Sequence, residues 1–126
     1  MTETDTITLA RHPRSVRIGR RWAARYTSEH GGSVRASRVV ELLTSEVVTN
    51  AVVHPAIRGA ITLRADVQGE EFLIAVSDAD PQRPVVRSAH PGRVGGHGMR
   101  LVEALSTSWG VNLRVDGKTV WFRAAW

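Results

Sequence analysis

Cysteine is absent from the 126 residues, which excludes a disulfide framework and any thiolate metal site. No apolar run approaches the ~20 residues that span a bilayer, so no membrane partner is expected. The opening Met1-Thr2-Glu3-Thr4-Asp5-Thr6 lacks the charged-then-apolar layout of a signal peptide, and the simplest location is cytoplasmic. Internal repeats, low-complexity segments and linkers are also missing. The length suits one domain over 1–126, with a real core but no room for a second. What is present is ordinary for a soluble globular chain, with 42% hydrophobic and 23% charged residues.

Acids are in the minority. The net charge is +5 and the pI near 11.2, and much of the excess sits in Arg11, Arg14, Arg17, Arg20, Arg21 and Arg25, on what reads as the first helix. No helix-turn-helix or zinc-finger pattern accompanies them, so direct nucleic-acid binding is not expected. Nucleotide phosphates and acidic protein partners suit the charge as well.

Thr6 to Ala10 alternates polar and apolar residues, as a short strand does. After Pro13, Ser15 is the expected cap of a helix running to about His30 and ended by Gly31-Gly32. Ser33 is the expected cap of a second helix, stopped at Pro55. Strands are expected over Ile61–Val67 and Phe72–Ser77 as a hairpin about Gly69. A Pro- and Gly-rich loop then leads to a helix over Met99–Ser108. Strands Val111–Val115 and Thr119–Ala125 are expected to turn at Asp116-Gly117. The fold class predicted is a two-layer α/β (α+β) sandwich, its sheet mixed but mostly antiparallel, with three helices on one face.

The second helix carries the chemistry. Val39, Leu42, Leu43, Val47, Ala51 and Val52 recur at helical spacing and predict a buried face. Glu46, Asn50 and His54 stand four residues apart, on one side of that helix. An amide oxygen can bind Mg²⁺, and a carboxylate one turn away can take a proton from an attacking hydroxyl. A solvated polar stripe would have the same spacing. Gly95-Gly96-His97-Gly98 opens onto a helix, where glycines and free N–H groups favour an anion, although a flexible hinge fits equally. It is neither a Walker A loop nor a dinucleotide fingerprint. Asp78 ends a strand, where it could start a turn or accept from an exocyclic amine, choosing adenine over guanine. Thr119 is by itself simply a good strand residue.

Together and in this order these residues resemble the ATP-binding domain of the GHKL superfamily of gyrase, heat-shock chaperones, histidine kinases and mismatch-repair ATPases. Ser45 to His54 is similar to its N box, and Val76-Ser77-Asp78 with Pro81 and Pro84 to its first glycine box. Gly96-His97-Gly98-Met99-Arg100-Leu101-Val102 resembles the second glycine box, and Gly117-Lys118-Thr119-Val120-Trp121-Phe122 the closing strand. The short length and the Ser-Glu-x-x-Thr-Asn-Ala-x-x-His wording resemble the anti-sigma-factor serine/threonine kinases and their actinobacterial relatives.

The resemblance implies that Asn50 coordinates Mg²⁺ and that Glu46 is the base for the acceptor hydroxyl. It implies that Asp78 takes the adenine amine with support from Thr119, and that Ala51 lines the pocket. The Gly96, His97 and Gly98 turn would wrap the phosphates of ATP or ADP, and His54 would have a structural or phosphate-proximal part. Two departures stand out: Asp78-Ala79-Asp80 lacks the glycine that larger members carry two residues on, and the loop before Gly95 is short. No phosphoacceptor-histidine or transducer domain fits the length, which disfavours a sensor kinase or a gyrase-like machine.

Two functions of different class follow. One is a protein kinase that phosphorylates a serine or threonine on a small antagonist of anti-anti-sigma type. The other is an ATP-dependent module that sequesters a sigma factor or another regulatory partner without catalysis. A homodimer is compatible with either. Glu46 favours the kinase, because nucleotide binding alone needs no base there.

Overall fold

The computed structural model describes residues 4–53, 59–79 and 97–126. Eight elements follow in order: β1 (Asp5–Leu9), α1 (Arg14–Glu29), α2 (Val34–Val52), β2 (Ile61–Gln68), β3 (Glu71–Asp78), α3 (His97–Leu105), β4 (Ser108–Arg114) and β5 (Gly117–Ala125). Ser33 caps α2 as expected, its hydroxyl accepting from the Ala36 N–H at 3.0 Å. α1 departs from expectation. Its N-cap is Pro13, and Ser15 lies inside the first turn, donating its hydroxyl to the Ala10 carbonyl at 2.5 Å. Proline tolerates a helix start because the missing N–H would be unsatisfied there. Arg11 precedes α1 and is not part of its basic face.

The strands form one sheet in the order β1-β2-β3-β5-β4. A mixed, mostly antiparallel sheet was expected, and every described pairing is antiparallel. The reason is topological: β5 folds back between β3 and β4, so β3 and β4, which run the same way, do not pair. Gly69 turns the β2–β3 hairpin at φ +63°, a left-handed conformation that glycine adopts without steric cost. The β4–β5 turn falls at residues 115 and 116, one place earlier than expected, and Gly117 already pairs with Arg114.

α3 ends at Leu105 instead of reaching Ser108. Ser106 donates its side chain to the Val102 carbonyl, and Ser108 is already in β4. Gly110 lets β4 lie against the Trp121 indole, since a Cβ there would stand 2.7 Å from the ring.

Alternation decides what each strand buries. Leu63 and Ala65 of β2, Phe72, Ile74 and Val76 of β3, and Val120, Phe122 and Ala124 of β5 enter the core. The helices supply Ala23 and Tyr26 from α1, Val40, Leu43, Val47 and Ala51 from α2, and Met99 and Val102 from α3. α2 is the central helix, packing against α1, α3, β3 and β5. Its buried stripe is close to expectation except at Leu42, which is 41% exposed. The helix meets the sheet along the Val40-Leu43-Val47-Ala51 line, and Leu42 falls outside it. Among the described residues no helix is long and apolar enough to cross a membrane.

Candidate functional site

Glu46 and Asn50 are both half-buried on α2, about 6 Å apart along its axis. At ~100° per residue they lie on a different flank from Thr44 and Val48. A half-buried amide and carboxylate one turn apart can face a ligand without being fully desolvated. Ala51 is buried in the core. His54 and Gly96 lie outside the described residues. His97 and Gly98 open α3, whose buried Met99 and Val102 seat it on the core beside α2. The first turn of any helix leaves N–H groups without intrahelical partners.

Asp78, the last residue of β3, pairs across the sheet with Lys118. The Lys118 Nζ stands 3.4 Å from both carboxylate oxygens, and the two residues are only 6% and 4% exposed. Lys118 escaped sequence reasoning because a lysine near a turn ordinarily points to water. Its partner becomes visible only when β5 is aligned with β3.

The same register decides Thr119. Side chains alternate along a strand, so Thr119 faces away from the side that Asp78 and Lys118 share. Its hydroxyl shares a 2.7 Å hydrogen bond with the Ser77 hydroxyl and accepts from Arg114 Nη1 at 2.8 Å. The structure thus joins Asp78 to Lys118, while Thr119 joins a polar group on the opposite sheet face.

Gly117 holds this register. A Cβ there would lie 2.1 Å from the Asp78 backbone oxygen. Gly117→Ala is therefore expected to force the strands apart and cost about 1–3 kcal/mol, the usual range for overpacking. The midpoint of urea denaturation measures it, and an unchanged midpoint would contradict the close approach.

Arg11 locates the helix end relative to the sheet. Leu9 pairs with Ile61, and Thr62 with Ser77, so the end of β1 and Asp78 share one end of the sheet. From there Arg11 donates Nη1 to the Ala51 carbonyl in the last turn of α2. A cation at a helix C-terminus complements the helix dipole. The Asn50–Ala51 turn is thereby tied to the sheet end where Asp78 lies. Read from sequence, Arg11 was only one more positive charge.

Among the described residues no group of three or more His, Cys, Asp or Glu could hold a metal ion. A cation at Asn50 would take most of its ligands from water and phosphate, as Mg²⁺ commonly does, and the amide oxygen suits that hard ion.

No curated protein matches the chain. A crystal structure of the RsbU and RsbW domains of Rv1364c from Mycobacterium tuberculosis is similar, with a TM-score of 0.76 at 20% identity over 98% of this chain and 32% of that one. The histidine kinase domain of the Erythrobacter litoralis EL346 blue-light activated histidine kinase is similar over 75% of this chain and 46% of its own, with a TM-score of 0.57 and 26% identity. This chain therefore spans less than half the length of either structure. Residues 9–124 match the family model of the histidine kinase-like ATPase domain, and the chain belongs to that family.

Proposed function

We propose that this chain is an ATP-binding regulatory protein that acts as a serine/threonine protein kinase of the anti-sigma-factor type. The observation that carries the reading is the half-buried Glu46–Asn50 pair on α2, at the sheet end where Asp78 is buried. Family membership supports ATP as the nucleotide. The fold shared with a mycobacterial structure that contains an RsbW domain is compatible with a regulatory kinase.

In this reading Asn50 would offer its amide oxygen to Mg²⁺, and Glu46 would accept the proton of a serine or threonine hydroxyl as its oxygen bonds to the γ-phosphorus and the bond to the departing ADP oxygen breaks. The first turn of α3, at His97 and Gly98, offers N–H groups to the phosphates, with Gly96 just before it. His54, outside the described residues, keeps the structural or phosphate-proximal part that the resemblance implies. Asp78 accepts from the adenine amine. A carboxylate has about four lone-pair positions, so Lys118 and the base amine can both be accommodated. The acceptor would be a small antagonist of anti-anti-sigma type, and the controlled partner a sigma factor, with the chain working in the cytoplasm as one domain.

Guanine places a carbonyl where adenine has its amine, leaving buried groups unsatisfied at about 1–3 kcal/mol. Calorimetry should therefore show ATP binding ~5- to 150-fold tighter than GTP. Asp78→Asn should weaken ATP binding and blunt the preference. The Lys118→Met background is the proper one for this test, because Asp78→Asn alone removes the anion facing Lys118. Equal affinity for ATP and GTP in the parent protein would contradict the role of Asp78. Pull-down from native extract with and without ATP, followed by phosphosite mapping of the retained protein, identifies the acceptor. Retention without phosphorylation would favour the ATP-gated binding module.

A further inference from the structure

We infer that the outer groove between α1 and α2 is a docking surface for an acidic amphipathic helix of a protein partner. The groove has a volume of about 340 Å³ and is lined by Ala24, Arg25, Ser28, Val34, Arg38 and Glu41, among others. On α2, Glu41 and Glu46 are five residues apart, roughly 140° around the helix. The groove thus opens on a different flank from the proposed base. α2 touches α1 on one side and α3 on another, so both surfaces share one rigid element.

Charge and apolar exposure together select the occupant. Arg14, Arg17, Arg21 and Arg25 on α1 and Arg35 and Arg38 on α2 are all exposed, and none of their guanidinium groups has a partner among the described residues. The exposed acids on these two helices are only Glu29 and Glu41. Arg14, Ile18, Arg21 and Arg25 follow one another at spacings of four, three and four, forming one stripe along α1. Val34, Arg38 and Leu42 form a second stripe on α2.

Ile18, Val34 and Leu42 are 46%, 70% and 41% exposed, so each stripe sets apolar side chains among guanidinium groups. A helix with leucines on one face and carboxylates beside them complements both features. Duplex nucleic acid offers the negative charge but no apolar face for these side chains. Arginine also suits the carboxylate, because its planar fork can bind it bidentately.

The probe is a fluorescein-labelled amphipathic peptide of about 20 residues, long enough to hold a helix, with leucines at i, i+3/i+4 spacing flanked by glutamates. Its twin carries lysine in place of each glutamate, and a DNA duplex of similar length is the third ligand. Anisotropy should show the acidic peptide binding the full chain at least ~tenfold more tightly than the lysine twin, with the difference shrinking as salt rises. Amide shift changes should centre on residues 14–28 and 34–42. Arg25→Gln/Arg38→Gln and Arg25→Glu/Arg38→Glu should weaken the peptide progressively while leaving ATP affinity unchanged.

Equal binding of the two peptides overturns the proposal, as do shifts centred elsewhere or tighter binding of the duplex at the same arginines. The inference does not rest on phosphoryl transfer. A chain that docks the acidic peptide but binds no ATP would end the kinase reading and leave this one standing.

Discussion

Glu46→Gln should leave ATP bound at nearly the parental affinity while phosphate transfer to the acceptor falls by ~10²–10⁴-fold, the usual contribution of a positioned base. Glutamine keeps the size of the side chain, so the packing of α2 on the core is undisturbed. What it removes is the capacity to take a proton. Asn50→Ala should behave differently, lowering Mg²⁺-dependent nucleotide affinity and transfer together, because it deletes the proposed metal ligand. The two variants sit one turn apart on one helix, which makes each a control for the other. Calorimetry with Mg²⁺·ATP measures the binding, and mass-detected phosphate on the acceptor measures transfer. If Glu46→Gln transfers at the parental rate, Glu46 is not the base. If both variants lose ATP equally, the proposed division of labour on α2 fails.

The other large effect concerns stability. Lys118→Met should destabilise the fold by about 3–5 kcal/mol, because it removes the cation that faces the Asp78 carboxylate in a site with almost no access to water. For a chain of this length that corresponds to a fall of roughly 10–20 °C in Tm. Asp78→Asn should also destabilise, by leaving an ammonium group facing a neutral amide.

The double variant Asp78→Asn/Lys118→Met should cost less than the sum of the two, with a coupling of roughly 0.5–3 kcal/mol, since neither charge is then left behind. Thermal and urea denaturation of the four proteins completes the cycle. Additivity within ~0.5 kcal/mol would show that the two groups do not depend on one another. The same experiment separates stability from base recognition, because the double variant is the scaffold on which nucleotide preference is best read.

Much of this architecture is legible along the chain. The four-residue spacing of Glu46 and Asn50 needs only helix geometry to put both on one face, and the structure keeps them there. Ser33 as a cap and Gly69 as a turn were readable for the same reason: the groups that satisfy each other lie within a few residues. Where local reading slipped, a distant contact had intervened. Leu42 carries the right spacing for the core, yet the line along which α2 meets the sheet leaves it on the surface. The end of α3 came early because residues 108–110 were claimed by pairing with β5.

The sequence by itself therefore determined the chemical inventory: a carboxylate and an amide on one helix face, an aspartate at a strand end, two hairpins, and an excess of arginine without cysteine. Only the tertiary structure decided who faces whom across the sheet. β5 inserted between β3 and β4 puts Lys118, and not Thr119, beside Asp78. A slip of one residue in that pairing would exchange the two, since neighbouring side chains on a strand point to opposite faces. Nothing within the Gly117–Thr119 segment encodes that choice. It follows from burying Val120 and Phe122 against the helices, which fixes the parity of every residue on β5. Arg11 reached Ala51 in the same way, through chain separated by 40 positions and brought together by the core.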